Sequence, residues 1–286
     1  MSKIMVILNP AARSAKAAGL LGEIETLARG EAVVALSSEP GDARRLAREA
    51  ALSGTQVVVA AGGDGTVNDV LNGIAGTGAT LGILPTGTMN VFATELGLPR
   101  NLRDAWAAIH NGHSREIDLP RASGHAFVQM AGVGLDAQAL QSTSWEAKRN
   151  LGPLSYVISA AQVAARKPPT LRVKAEGAEH EGSFVLIGNG RFYGGPFPVF
   201  PNARLDDGLL DVILFERVGH LDLIRYLQAA LFGKHIDMPD VTYLQTRALS
   251  VASESDVPVE VDGEVVGRVP VDFECQPRGL RVIVPG

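Results

Sequence analysis

The chain has 286 residues, of which 46% are hydrophobic and 20% charged, with a formal net charge of −5. This balance is typical of a globular protein and excludes a disordered chain, and the length favours two domains. Because Lys and Arg form no run in the sequence, we expect no nucleic-acid partner and no strong electrostatic docking on anionic lipid.

The single cysteine, Cys275, cannot form an internal disulfide. This indicates a reducing compartment, and we expect a cytoplasmic protein. The apolar run Ile4 to Leu8 is too short for a signal peptide and predicts a strand instead. No segment reaches the roughly 20 apolar residues that a membrane-spanning helix needs. Peripheral contact with the inner face of the membrane is left open.

Up to about Leu119, short β-branched apolar runs alternate with turns and with helical periodicity. This alternation predicts βαβ units and a parallel sheet. The helix after the third run is predicted to begin near Thr66, and the next helix to follow a Thr88 cap and end at Gly97. The predicted strands are Ile4 to Leu8, Ala32 to Leu36, Gln56 to Ala61 and Thr80 to Leu84.

From about Phe127 the apolar runs alternate with polar residues, which predicts a β-sandwich or barrel-like second domain. Two helical stretches, Trp145 to Arg166 and His220 to Phe232, interrupt it. The predicted strands are Leu171 to Lys174, Phe184 to Ile187, Leu209 to Phe215, Leu249 to Ala252, Val257 to Val261, Val265 to Val269 and Leu280 to Val284.

We therefore predict an α/β protein with an N-terminal Rossmann-like βα domain, built on a parallel sheet, and a C-terminal β-sandwich domain. The boundary is placed at residue 122, which gives domains 1–122 and 123–286. Whether the final strand, Leu280 to Val284, returns to the first domain is left open.

The stretch Gly62-Gly63-Asp64-Gly65-Thr66 follows a predicted strand and opens a predicted helix. Helix N-termini at the carboxyl ends of parallel strands bind anions. We expect the glycines to adopt left-handed angles and to let the backbone approach a phosphate. Since an acid suits such a site when Mg²⁺ accompanies the phosphates, Asp64 is a candidate ligand of the metal or of its water.

Two further turns are expected at the same edge. Pro85-Thr86-Gly87-Thr88-Met89-Asn90 follows the fourth strand, and Asn9-Pro10-Ala11-Ala12-Arg13-Ser14 follows the first. Arg13 and Lys16 are candidates to neutralise phosphate charge, although solvated surface positions suit them as well. Neither a P-loop nor a dinucleotide glycine motif is present.

These residues resemble the diacylglycerol kinase catalytic-domain family, which includes bacterial diacylglycerol and lipid kinases and the sphingosine kinases. The resemblance covers essentially the whole chain. It rests on Gly62 to Thr66 with Asn68, Pro85 to Asn90, Gly188 to Gly195, Pro201 to Arg204, Leu205 to Asp211, and Val261 to Glu264.

The resemblance implies an ATP- and Mg²⁺-dependent lipid kinase with diacylglycerol as the expected acceptor, presented at a membrane surface; a homodimer is left open. By matching position, Glu264 is the expected general base, and Asp64 and Asp118 share a water and metal network with it. The expected ATP contacts are Asn9, Ser37, Gly62, Gly63, Asp64, Gly65, Thr66, Val67, Asn68 and Thr88. A structural Mg²⁺ is expected at Asp207 and at the carbonyls of Arg204 and Leu209.

Some residues depart from the family pattern or allow a simpler interpretation. Ser37 stands where Thr is usual, and Val91 follows Asn90 where Asp is common. Asp262-Gly263 is also a strong hairpin signal, and Asp206-Asp207 reads first as a turn.

Two other functions compete with the lipid kinase: phosphorylation of a soluble acceptor such as NAD, and a non-catalytic nucleotide-binding regulator. The stretch Leu154 to Ala165, with basic flanks, could lie against a membrane or pack as an ordinary helix.

Overall fold

The computed structural model describes residues 3–10, 17–134 and 168–286. The chain forms two compact units, Met1–Leu119 with Pro277–Gly286, and Pro120–Gln276. The predicted helix from Trp145 to Arg166, with the apolar stretch Leu154 to Ala165, lies outside the described residues, as do Arg13 and Lys16.

The first unit contains a parallel sheet whose strand order is β2-β1-β3-β4, with the last part of β18 beside β4. Its strands are β1 (Ile4–Leu8), β2 (Ala32–Leu36), β3 (Val57–Gly62) and β4 (Thr80–Pro85). Its helices are α1 (Ala17–Ala28), α2 (Asp42–Leu52), α3 (Asp64–Ile74), α4 (Val91–Glu95) and α5 (Leu102–Asn111).

Near-continuous apolar runs form β1, β3 and β4, and their central residues are buried, as expected for strands covered by helices on both faces. One core cluster joins Val6 and Val59 of the sheet to Ile24 of α1 and Trp106 of α5. Burial of these side chains fixes the parallel register and so brings the strand ends to a common edge.

Two helix starts differ from the prediction. Helix α3 begins at Asp64, with Gly63 as an N-cap that makes no side-chain hydrogen bond. Helix α4 begins at Val91, after Asn90 in the left-handed region. At α4 the Ser/Thr capping rule failed because the carboxylate of Asp64, from the preceding helix, accepts the N–H of Phe92. At α3 the N-cap is Gly63, which has no side chain to form a cap.

The second unit consists largely of antiparallel sheets. One sheet has the order β14-β13-β10-β7-β16-β17, and another joins the first part of β18 to β15, β8 and β9. The remaining strands of the chain, of which β5 and β18 each have residues in both units, are β5 (His113–Ala122), β6 (His125–Ala126), β7 (Met130–Val133), β8 (Leu171–Ala175), β9 (Ala178–Gly182), β10 (Phe184–Gly188), β11 (Phe192–Tyr193), β12 (Phe197–Pro198), β13 (Leu210–Phe215), β14 (Val241–Thr246), β15 (Ala248–Ala252), β16 (Pro258–Val261), β17 (Glu264–Arg268) and β18 (Val271–Val284).

One core cluster draws side chains from both of these sheets, with Val185 and Val261 from the first and Val173 and Phe273 from the second. Apolar residues of both sheets facing a common core define a β-sandwich, so the predicted fold class is confirmed. The predicted helix from His220 is present as α6 (His220–Leu231), and a 3₁₀ turn follows at His235–Asp237.

Among the residues that the structure describes, no helix is both long and apolar enough to cross a membrane.

Candidate functional site

Three loops meet at the carboxyl edge of the parallel sheet in the first unit. They follow β1, β3 and β4, which are neighbours in the sheet. The backbone N–H of Asn9 donates to the carbonyl of Ala61 at 3.1 Å, and so links the end of β1 to β3. The predicted gathering of these loops at one edge is therefore correct.

The loops after β3 and β4 are locked together through backbone atoms. The carbonyl of Gly62 accepts hydrogen bonds from the N–H groups of Thr86 at 3.0 Å and Gly87 at 3.2 Å. A Cβ atom on Gly87 would lie 2.4 Å from the Cα of Gly63, and one on Gly62 would lie 2.2 Å from the Thr66 hydroxyl oxygen. Glycine is thus required at these positions because of close approach.

The expectation that these glycines adopt left-handed angles is wrong. The residues with positive φ do not include Gly62, Gly63, Gly65 or Gly87. Helix α3 begins directly after Gly63, so Gly65 lies in its first turn. Close approach is the physical reason for glycine at both positions, because Gly87 packs against Gly63 of the neighbouring loop and Gly62 packs against the side chain of Thr66 in the first turn of α3.

Asn90 holds the loop after β4 in shape. Its side-chain oxygen accepts from the N–H of Gly87 at 3.1 Å, and its amide nitrogen donates to the carbonyl of Gly87 at 2.9 Å. Its backbone has a φ of 51°, in the left-handed region that Asn tolerates better than most residues. Asn90 therefore makes the loop rigid and also starts α4.

The first N–H groups of α3 lie at the loop edge and make no hydrogen bond within the helix. Val67 donates to the carbonyl of Gly63 at 3.0 Å, so the N–H groups before it have no partner within the helix. The amide of Asn9 donates to the hydroxyl oxygen of Thr66 at 3.3 Å, and Thr66 is only 4% exposed. The predicted residues Asn9, Gly63 and Thr66 thus come together at a helix end that favours anions.

The hydroxyl of Thr86 was missed by the sequence analysis. It is buried without a hydrogen-bond partner among the described residues. Such a group is normally satisfied by water or by a bound ligand. The only indication in the sequence is the position of Thr86 in the second loop, next to Gly87.

Asp64 has one carboxylate oxygen against the start of α4. Its Oδ1 accepts from the N–H of Phe92 at 3.4 Å. The N–H groups of Phe92, Val91 and Asn90 all lower the pKa of the carboxylate. Burial raises the pKa of Asp64, and these backbone donors oppose the rise only in part. Asp64 therefore supports α4, a role that its position in the sequence did not reveal.

Asp118 lies in β5 and is fully buried. Its Oδ1 accepts from the backbone N–H of Arg278 at 2.9 Å, where Arg278 has a φ of 52°. The carboxylate therefore stabilises an unfavourable backbone angle in β18. Its membership of a network with Asp64 and Glu264 stays a prediction.

The remaining expected ATP contacts differ in exposure. Thr88 is exposed, whereas Ser37 is 6% and Val67 3% exposed. The hydroxyl of Ser37 donates to the carbonyl of Leu8 at 3.4 Å, at the end of β1. Asn68 is 1% exposed, and its side-chain oxygen accepts from Asn72 at 3.0 Å. Their contacts with ATP stay predictions.

Glu264 is the first residue of β17 and is exposed in the second unit. It pairs with Val261 across a turn formed by Asp262 and Gly263, whose φ angles are 47° and 88°. Positive φ at both turn residues is the signature of a type I′ hairpin, so the hairpin signal is confirmed.

Two carboxylates fix this hairpin. Asp262 accepts three backbone N–H groups, from Val128 at 2.9 Å, Gln129 at 3.0 Å and Met130 at 3.1 Å. The N–H of Gly263 donates to Glu260 at 2.9 Å, and Glu260 is 2% exposed. Glu264 therefore projects from a turn with little freedom, as a positioned functional group requires.

Asn189 and Gln129 make further hydrogen bonds to and from the segment that Asp262 binds. The amide of Asn189, which is fully buried, donates to the carbonyl of Val128 at 2.9 Å. The amide of Gln129 donates to the carbonyl of Phe192 at 2.9 Å. The Gly188-to-Gly195 motif thus contacts the segment that Asp262 binds, an arrangement that no pattern in the sequence indicates.

The predicted metal residues of the second unit form a turn. Asp207 Oδ1 accepts from the N–H of Leu209 at 3.0 Å, and Arg204 lies 3.7 Å from the carboxylate of Asp206. No cluster of three or more acidic, His or Cys side chains able to hold a metal is present among the described residues. The expected site uses one carboxylate and two carbonyls, so it stays a prediction.

Comparison with known proteins identifies the class of each part of the chain. Residues 3–122 match the family described as the diacylglycerol kinase catalytic domain. Residues 129–284 match the family described as the YegS C-terminal NAD kinase beta sandwich-like domain. The protein is therefore a kinase by class.

Two relatives and one solved structure show the family. The chain is 32% identical to a diacylglycerol kinase of Bacillus subtilis over 86% of its length and 83% of that protein. It is also 32% identical to a diacylglycerol kinase of Staphylococcus aureus, over 86% and 79%. A crystal structure of a Bacillus anthracis diacylglycerol kinase has a TM-score of 0.83 at 27% identity, covering 99% of this chain and 97% of that one. The chain belongs to the diacylglycerol kinase family.

Proposed function

We propose that the protein transfers the γ-phosphate of ATP to the hydroxyl group of a membrane lipid, with diacylglycerol as the acceptor. The observation that carries this proposal is the edge where the loops after β3 and β4 interlock beside the N-terminal N–H groups of α3. The names of the relatives, which are diacylglycerol kinases, support the choice of acceptor.

In this proposal the phosphates of ATP lie against the α3 N-terminus. The partial positive charge of the helix and the backbone N–H groups stabilise phosphate oxygens there. Thr66, Thr88 and Asn9 are the polar side chains of the edge that would contact the nucleotide. The remaining proposed contacts are Ser37, Gly62, Gly63, Asp64, Gly65, Val67 and Asn68.

Glu264 is proposed as the general base. A lipid hydroxyl has a pKa far above neutral, so its proton must leave as its oxygen attacks the γ-phosphorus. The bond between the γ-phosphorus and the β–γ bridging oxygen breaks, ADP leaves, and the proton moves to the Glu264 carboxylate. The turn held by Asp262 and Glu260 supports this role because it restricts where Glu264 can point.

Mg²⁺ fits the residues at this edge. Asp64 is a partly buried carboxylate whose pKa is raised by desolvation, and no basic side chain of the described residues forms an ion pair with it. A divalent cation would compensate such a charge, and carboxylate oxygens are the ligands that Mg²⁺ prefers. When bound with the nucleotide, Mg²⁺ supplies positive charge to the phosphate oxygens. Asp64 would hold it, with Asp118 as a further acid of the proposed network.

The turn at Asp207 is proposed as a separate structural Mg²⁺ site, formed with the carbonyls of Arg204 and Leu209. These are oxygen donors of the kind that hard cations accept. This proposal rests on the family resemblance.

Phosphorylation of NAD is a second candidate function. The description of the domain matched by residues 129–284, which names an NAD kinase beta sandwich, favours it. The family membership of the whole chain favours a lipid acceptor, so NAD is the second choice.

An acceptor panel tests the proposal. The protein is incubated with Mg-ATP and, separately, with diacylglycerol in mixed micelles, a sphingoid base, NAD or no acceptor, and the phosphorylated products are measured by mass spectrometry. We expect phosphatidic acid as the main product. NADP formation with no lipid product would support the second candidate, whereas ATP binding without transfer to any acceptor would indicate a regulatory protein.

A further inference from the structure

Helix α6 exposes an unusually apolar face. Five large side chains of the helix and its C-cap point to solvent, with exposures of 82% for Leu221, 54% for Ile224, 58% for Leu227, 65% for Leu231 and 79% for Phe232. Most exposed apolar residues of a globular protein are scattered, whereas contiguous ones mark an interaction surface. These five residues are called the α6 face below.

The opposite side of α6 is already packed. Tyr226 is 5% exposed and belongs with Phe184 and Phe215 to a core cluster, against which Leu223 also packs. The hydroxyl of Tyr226 donates to Asp240 at 2.8 Å, and the guanidinium of Arg225 binds Asp240 and also Asp222 at 3.1 Å. These contacts fix the rotation of the helix, so the α6 face cannot turn into the core of the unit.

The α6 face is continuous. At 100° per residue the five side chains fall within an arc of about 140°, which also includes the positions of Gln228 and of His220 at the helix start. A helix that is apolar on both sides is normally buried on both sides. The outer side of α6 therefore requires an apolar environment that the described residues do not supply.

The charges beside this face nearly cancel. Arg217 and Lys234 are exposed basic residues at the two ends of α6, and Glu216 and Asp237 are exposed acidic residues next to them. A partner held by charge would need an excess of one sign. The α6 face is therefore built for an apolar partner that makes few directional contacts.

The size of the face distinguishes a bilayer from a second copy of the chain. A helix of about 12 residues is roughly 18 Å long and 10 Å wide. Each partner of a stable protein pair buries roughly 800 Å², with about ten hydrogen bonds across the interface. One helix face of this size supplies neither that area nor those bonds, whereas insertion into a bilayer requires only apolar area.

We propose that α6 is a membrane-docking helix whose outer face lies in the interfacial region of a lipid bilayer. Leu221, Ile224, Leu227, Leu231 and Phe232 enter the boundary between headgroups and acyl chains, and Arg217 and Lys234 stay at headgroup level. Since the charges balance, binding depends on apolar burial, and vesicles of zwitterionic lipid suffice. Docking through α6 involves only this helix and its surroundings, so it does not depend on the proposed kinase reaction.

Vesicle sedimentation tests this proposal with the full chain, in the absence of ATP and acceptor. We expect the wild type to bind phosphatidylcholine vesicles and to remain bound in high salt. Leu221→Asp should lower the partition coefficient at least about tenfold, because it places a charge where an apolar side chain was buried. The control is Leu52→Asp, which changes a leucine that is 68% exposed at the end of α2; it should bind like the wild type.

A second variant reports insertion directly. Phe232→Trp should add a component of tryptophan emission that shifts to the blue on addition of vesicles and is quenched by brominated acyl chains. Absence of vesicle binding by the folded wild type, or an equal loss in Leu52→Asp, would overturn the proposal. A dimer in lipid-free solution that Leu221→Asp dissociates would assign the face to a second copy instead. Vesicle binding without kinase activity would contradict the proposed function alone.

Discussion

Asp64 shows how one side chain can serve both the fold and the proposed chemistry. Its carboxylate lies at the start of α4, where it accepts the N–H of Phe92. Burial raises its pKa, so ionisation of Asp64 opposes folding. Functional sites often retain a charge that lowers the stability of the fold, because activity requires that charge.

Replacement of Asp64 by Asn should increase stability at pH 7 while reducing phosphoryl transfer. The folded pKa is raised, so the native state binds the proton more tightly than the unfolded state, and stability falls as pH rises from about 3.9 through the folded pKa. Asn keeps an oxygen for Phe92 and carries no charge. Thermal unfolding without nucleotide or Mg²⁺ should therefore give a higher Tm for Asp64→Asn at pH 7.

The difference in Tm should shrink near pH 4 and below, where wild-type Asp64 becomes neutral. Asp237→Asn, at an exposed position, is the control and should follow the wild type at both pH values. A variant that is less stable than the wild type by the same margin at pH 7 and pH 4 would contradict the assigned cause of the pKa shift.

At the scale of elements, the sequence predicted the strands and helices whose residues form a clear local pattern. Strands β1 and β2 were predicted with the observed bounds, because each is a continuous apolar run between turn signals. Strand β2 lies at the sheet edge and is only partly buried, so the expectation that it is buried on both faces was wrong. Strand β5 was not predicted, since its first half is polar, and β7 is too short, with a glycine, to form a pattern. Strand β14 lies at a sheet edge and is only partly buried.

The sequence predicted which loops form the candidate site, but it did not predict how their side chains contact one another. Glycines at strand ends and the Asp262-Gly263 pair mark turns through local chemistry. In contrast, Asp64 binds a backbone group 28 residues away and Asp262 binds groups 132 to 134 residues away. Contacts at such separations arise only from the folded chain, so no spacing in the sequence could have indicated them.

The hairpin that carries Glu264 should depend strongly on Asp262. Asp262→Ala leaves three backbone N–H groups without their acceptor, and we expect a loss of about 2–4 kcal/mol in the free energy of unfolding. Asp262→Asn retains one acceptor oxygen and tolerates positive φ, so its loss should be smaller. Urea denaturation measures both values.

Asp256→Ala is the matched control in the same unit. Its ion pair with Arg268, at 2.9 Å, is solvent-exposed, and such pairs contribute about 0–1 kcal/mol. If Asp262→Ala cost no more than Asp256→Ala, the carboxylate of Asp262 would not be what fixes the turn.

At the scale of the whole molecule, each unit contributes a different part of the proposed function. The first unit supplies the glycine loops and the α3 N-terminus, and the second supplies Glu264 and the α6 face. The matched domains divide the chain at nearly the same point, with a diacylglycerol kinase catalytic domain in residues 3–122 and a sandwich domain in residues 129–284. Residues 277–284 of the second match belong to the first unit of the structure. If the proposed function is correct, phosphoryl transfer requires residues of both units.

The most direct test of this account is the turnover number of Glu264→Gln with Mg-ATP and diacylglycerol. Glu274→Gln, an exposed glutamate on β18, is the control, and nucleotide affinity is measured for each protein. We predict that Glu264→Gln binds ATP like the wild type and loses at least about a hundredfold in kcat, the range for removal of a general base. Turnover by Glu264→Gln equal to that of Glu274→Gln would contradict the central claim.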